Sequence, residues 1–180
     1  IPEIMIPLLS ANQEVQLVKE RISSVAKKIK TASHSYIKYK LGVVVETPRA
    51  ALRAGDISAT SDFLSFGTND LTQMTYGLSR DDAGRFMQDY LERVVFPHDP
   101  FHSLDIEGVG ELLLLASERA VRNNTSIELG LCGEHGGDPI SIRFCKRANF
   151  DYVSCSPFRV PIARLAAAQA SIDCRSEKNN

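Results

Sequence analysis

Short apolar runs bounded by polar, Gly or Pro residues alternate along the chain with longer segments of helical period. That alternation predicts βα units repeated around a parallel sheet. Five runs read as strands, over residues 3–9, 41–46, 63–67, 127–132 and 152–155. Between the first two, Val15, Val18, Ile22, Val25, Ala26 and Ile29 recur at helical spacing among Lys, Arg and Glu, which predicts an amphipathic helix over 12–29. Thr47-Pro48 is a helix cap followed by proline at the first helical position, so a helix is expected over 48–54. Further helices are expected over 70–76, 82–95, 107–123, 140–147 and 161–172, with 77–104 otherwise irregular and 173–180 a frayed tail. Five units exceed a small dinucleotide-binding half and fall short of a closed eight-stranded barrel, which takes about 250 residues. The expected fold is α/β: the C-terminal part, about five βα units, of a (β/α)8 TIM barrel, with residues 1–172 as that domain portion.

Barrels of this kind carry their chemistry at the C-terminal ends of the strands. At those ends stand Glu46, Asn69-Asp70, Cys132-Gly-Glu134-His135 and Ser154-Cys155-Ser156. Two carboxylates on adjacent parallel strands, Glu46 and Asp70, suit one hard divalent cation such as Mg2+. The alternative is a solvated Glu at a strand end and an Asp capping a helix. Cys132 is either buried core or a reactive thiol. It stands before Gly-Glu-His-Gly-Gly, where three glycines in five residues predict a mobile loop able to close over a ligand.

Composition narrows this picture by exclusion. A net charge of −1, with 24% charged residues, leaves no bulk attraction to nucleic acid or an acidic membrane surface. No apolar run approaches the roughly 18–20 residues that span a bilayer. Cys132, Cys145, Cys155 and Cys174 are separated by 13, 10 and 19 residues, which matches neither a zinc pattern nor a small disulfide framework. Reduced thiols in the cytoplasm are expected, with an organelle left open. The start, directly on an apolar strand and without methionine, reads as a piece of a longer protein.

Three motifs together resemble the C-terminal barrel of the phosphoenolpyruvate-utilising enzymes: Phe66-Gly-Thr-Asn-Asp-Leu-Thr-Gln73, Cys132-Gly-Glu-His-Gly-Gly137 and Ser154-Cys-Ser-Pro-Phe-Arg-Val-Pro-Ile-Ala-Arg164. The third, with Ser79-Arg-Asp-Asp82 and His98-Asp-Pro-Phe101, looks specifically like the dikinase branch. That branch converts ATP, pyruvate and phosphate to AMP, phosphoenolpyruvate and diphosphate through a phosphohistidine relay. The resemblance implies that Glu46 and Asp70 bind Mg2+, which chelates the carboxylate and enolate oxygens of pyruvate. It implies that Gly67, Thr68 and Asn69 contact substrate, partly through backbone N–H groups. Arg80 would pair with the carboxylate or the transferring phosphoryl group. Cys132 would exchange a proton with C3. Gly133, Glu134 and His135 would form a lid that excludes water.

The implied partners are pyruvate or phosphoenolpyruvate, the phosphohistidine and nucleotide domains of a longer parent, and a second copy through the barrel. Neither nucleic acid nor membrane is expected. Thr47 departs from the family's usual apolar residue after the metal-binding Glu, and none of His34, His98, His102 or His135 lies in a phosphohistidine-like motif. The chain by itself is therefore expected to lack the full reaction. The competing readings are a phosphoenolpyruvate synthase or enzyme I-type domain, and a non-catalytic truncated barrel used for binding or dimerisation.

Overall fold

The computed structural model describes residues 1–34 and 37–178. Five strands, β1 (Glu3–Ile6), β2 (Lys40–Val45), β3 (Phe63–Gly67), β4 (Glu128–Cys132) and β5 (Tyr152–Val153), form one parallel sheet in the order β1-β2-β3-β4-β5. Each strand pairs with its sequence neighbour, so the chain winds in one direction, and right-handed crossovers then leave the helices on one face. This is the arrangement of a partial TIM barrel rather than of a doubly wound sheet, whose strand order reverses.

The two faces follow from the period of two. Leu41, Val43, Val45, Leu64, Phe66, Leu129 and Leu131 point to the helices and join their buried residues in the main core. The opposite face carries Gly42, Phe63, Ser65, Gly67, Gly130, Cys132 and Tyr152. Two aromatic rings on this face lie over glycines of the preceding strand: Phe63 over its register partner Gly42, and Tyr152 over its partner Gly130. A Cβ at Gly130 would collide with the Tyr152 ring itself. Gly130→Ala is expected to cost about 1–3 kcal/mol and to displace that ring. An unchanged melting temperature would show that the ring has room to move.

The helices are α1 (Asn12–Ser33), α2 (Pro48–Leu52), α3 (Ala54–Ser58), α4 (Thr68–Tyr76), α5 (Arg80–Ala83), α6 (Met87–Glu92), α7 (Glu111–Asn123), α8 (Pro139–Arg147) and α9 (Val160–Lys178). α7 buries Leu113, Ala116, Ser117 and Ala120 and packs on α2 and α3. Its expected first turn is instead a π-helical segment, Ile106–Gly110, capped by Asp105, whose carboxylate accepts from the Gly108 and Val109 N–H groups. The helix expected over 48–54 breaks at Arg53 and restarts, and the one expected over 82–95 divides into α5 and α6. Residues 173–178, expected as a frayed tail, continue α9; residues 179–180 lie outside the described residues.

β1 stops at Ile6 rather than running to residue 9. Pro7 has no N–H to give to a ladder, and the Leu8 N–H donates to the side chain of Glu46 instead. Likewise β5 ends at Val153, and Ser154 gives its N–H to the Leu131 carbonyl. Among the described residues no helix is long and apolar enough to cross a membrane.

Candidate active site

The C-terminal ends of β2, β3 and β4 bring together Glu46, Asp70 and Cys132, three of the residues that the strand-end rule singles out. Glu46 follows β2 and is buried, 9% exposed. Its Oε1 accepts from the Leu8 N–H at 2.8 Å, and its Oε2 lies 2.7 Å from where a side chain on Gly67 would begin. Gly67 thus leaves room for the carboxylate to cross onto β3. There it meets Asp70, in the first turn of α4. Burial raises the pKa of Glu46, the Leu8 N–H opposes that, and the charge and hydrogen bond of Asp70 raise it further.

Among the described residues no ion pair involves either carboxylate, and no third His, Cys, Asp or Glu joins them. The donor set is therefore two facing carboxylates with an unbalanced negative charge. That fits Mg2+, which is commonly held by one or two carboxylates and completes its octahedron with water and substrate oxygen.

Asp70 is oriented from behind. Gln73 Nε2 donates to Asp70 Oδ1 at 3.1 Å, and Gln73 Oε1 accepts the Arg80 N–H at 2.9 Å. One side chain thereby ties the carboxylate to the backbone of Arg80, whose own side chain is exposed and lies near enough to His135 to influence its titration. α4 opens at Thr68 with no side-chain cap from Gly67, so the N–H groups of its first turn have no intrahelical partner and suit an anionic group. The Thr68 side chain itself is turned away, fully buried, toward His135.

Cys132 closes β4, half-buried and unpaired with another cysteine. Burial pushes its thiol up, the Ser65 hydroxyl pulls it down, and the Glu46 charge pushes it up again. The net upward shift favours the thiol over the thiolate. Ser65 stands on the same face of β3. Its hydroxyl is fully buried and has no partner at full hydrogen-bond length among the described residues, yet both the Cys132 thiol and the Tyr152 hydroxyl respond to it. Tyr152 reaches this point by lying across Gly130, the register partner of Ser65. Ser65, Tyr152 and Gln73 were not among the sequence candidates. The signal for the first two is their parity: each falls on the strand face opposite the apolar core positions.

The loop after β4, where the glycines predict a lid, takes a defined turn in this structure. Residues Glu134–Gly137 form a 3-10 turn in which His135 is buried with both ring nitrogens engaged. Gly136 abuts the Ser154 carbonyl and Gly137 lies under Arg159, so these glycines serve close approach of segments rather than freedom. Asn69 Oδ1 accepts the Glu134 N–H at 3.0 Å. Only the Glu134 side chain remains exposed, beside an open polar cavity of about 230 Å³ lined by Asn69, Gly133, Ser154, Cys155 and Arg159. Larger clefts, of about 410 and 420 Å³, are lined by α1 with α2 and α3, by α1 alone, and by α1 with β1 and the segment before β2; none is lined by Glu46, Asp70 or Cys132.

The fold, five parallel strands in sequence order with helices between them, is that of a partial TIM barrel. The chain belongs to the PEP-utilising enzymes: the sequence model of that family's PEP-binding domain matches residues 1–172. Within the family the similarity is to pyruvate, phosphate dikinase. The Rhizobium meliloti (strain 1021) protein of that name is 57% identical over 175 residues, 97% of this chain and 20% of that protein. The Clostridium symbiosum protein is 50% identical over 173 residues, 96% of this chain and 20% of that protein. "Pyruvate, phosphate dikinase 1, chloroplastic" of Oryza sativa subsp. japonica is 54% identical over 168 residues, 93% and 18%. The chain spans about a fifth of the length of these curated relatives.

Proposed function

We propose that residues 1–172 are the C-terminal portion of the phosphoenolpyruvate/pyruvate-binding barrel of a pyruvate phosphate dikinase, a phosphotransferase whose nucleotide and phosphohistidine chemistry belongs to other parts of a longer polypeptide. The observation that carries this reading is the convergence of a facing carboxylate pair, Glu46 and Asp70, with the Cys132 thiol at three consecutive strand ends. Glu46 and Asp70 would hold Mg2+, which when bound supplies positive charge against the developing enolate and open positions for substrate oxygen. The N–H groups of the first turn of α4, which have no intrahelical partner, and the amide of Asn69 orient the three-carbon acid. Arg80 offers a planar cation to its carboxylate or to the phosphoryl group.

Cys132 holds the proton. In the pyruvate-forming direction the S–H bond breaks, C3 gains the proton and the thiolate remains. In the reverse direction the thiolate removes a proton from the methyl group, and the electron pair moves to the enolate oxygen that takes the phosphoryl group. Glu134, at the mouth, helps exclude water.

Oxalate mimics the enolate, so the intact polypeptide carrying this domain is expected to bind it only with Mg2+ present. Calorimetry with and without chelator checks this. Binding that is absent, or indifferent to the metal, would sink the carboxylate-pair assignment.

A further inference from the structure

His135 is 1% exposed although it sits in a polar, glycine-rich turn at the mouth of the site. Nδ1 lies 2.7 Å from Thr68 Oγ1, and Nε2 lies 2.9 Å from the Pro100 carbonyl oxygen. A carbonyl oxygen only accepts, so Nε2 carries a proton there. Thr68 Oγ1 also lies 3.1 Å from the Cys132 carbonyl oxygen, to which it can donate. The hydroxyl has one proton and, when the ring is neutral, two acceptors: Nδ1 and the Cys132 carbonyl. The ring at 135 therefore governs how that proton is shared. Burial lowers the ring's pKa; the Pro100 carbonyl and Asp138 oppose this, Arg80 adds to it and Glu134 opposes it.

What the shared proton controls is local. The Cys132 carbonyl precedes Gly133, at φ +109, whose backbone has no side chain to restrain it. The Thr68 hydroxyl is thus a restraint on the peptide that sets the direction of β4's last side chain. The far nitrogen fastens the same point to Pro100, in the segment that follows Arg80.

Resting on the proposed role of Cys132, we propose that His135 is a positioning residue for the Cys132 thiol, acting through the Thr68 hydroxyl. Two substitutions separate this from a tether to Pro100 alone. Asparagine at 135 puts an amide near the Nδ1 position and keeps a partner for Thr68. Glutamine puts one near Nε2, keeps the Pro100 bond and loses Thr68.

In the intact polypeptide, His135→Gln is expected to slow Mg2+-dependent exchange of pyruvate methyl protons at least about tenfold, with oxalate affinity within about threefold of the parent. His135→Asn is expected to retain exchange within about threefold. Iodoacetamide labelling of Cys132 relative to Cys174, followed by peptide mass spectrometry, should fall several-fold in the glutamine variant, where Thr68 gives its proton to the Cys132 carbonyl alone, and stay level in the asparagine variant. That ratio is read without substrate, so it decides the positioning role even if oxalate fails to bind. Equal behaviour of the two variants in labelling, or a larger effect from asparagine, overturns the proposal in favour of the Pro100 tether.

Discussion

Cys132→Ala is expected to lower the Mg2+-dependent exchange of pyruvate methyl protons with deuterated water by about 100- to 10,000-fold, the range that a positioned acid–base group contributes. Oxalate affinity should change by no more than a few-fold, because the thiol is not a metal ligand and its truncation leaves the carboxylate pair intact. The separation of the two effects is the informative part. A general disruption of β4 would weaken both, whereas loss of the proton-bearing group weakens only the exchange. Cys132→Ser should fall nearly as far as alanine, since a hydroxyl gives up its proton far less readily than a thiol. The direction of the thiol's shift adds a second check. With its pKa raised above the ordinary thiol value, the form that abstracts a proton from pyruvate grows with pH through the alkaline range, and the exchange rate should climb there without an early plateau. Exchange in the alanine variant within tenfold of the parent would remove Cys132 from the reaction.

The strand ends are legible in the sequence because each of Glu46, Asp70 and Cys132 closes or follows an apolar run, and the parallel-barrel rule says where to look. The five strands and their helical partners follow from period alone. What the sequence does not carry is lateral register. Tyr152 matters because it crosses Gly130 to reach Ser65, a relation among three strands that no single strand's alternation encodes. The form of the turn after Cys132 is not legible for a related reason. Glycine signals either freedom or close approach, and only the Ser154 carbonyl and the Arg159 stem, brought up by β5 and α9, decide for the latter. The early end of β1 depends on a contact 38 residues away, between Leu8 and Glu46, although Pro7 is a local hint of it.

Asp70→Asn is expected to act in opposite directions on stability and on function. In the metal-free state Glu46 is held in an environment that disfavours its charge, through burial first and through the Asp70 carboxylate besides, with the Leu8 N–H opposing. A carboxyl whose folded pKa lies above its unfolded value favours folding most when protonated. Stability is therefore highest below the ordinary carboxylate pKa and is lost as pH rises through the raised one. The metal-free fold takes on that penalty as Glu46 ionises, and removing the Asp70 charge relieves part of it. A gain of about 1 kcal/mol, or roughly 3 °C in melting temperature for a chain of this size, is the expected order. On the proposed assignment Mg2+ would relieve the same repulsion in the parent, so the parent should gain stability on adding the ion while the variant should not. Oxalate binding should fall by more than the about 10- to 100-fold that loss of an outer-shell partner costs a metal site. Thermal unfolding with chelator and with Mg2+, alongside oxalate calorimetry, measures all three effects. A variant less stable than the parent in chelator, or still stabilised by Mg2+ to the parent's extent, would show that the two carboxylates do not form the metal pair.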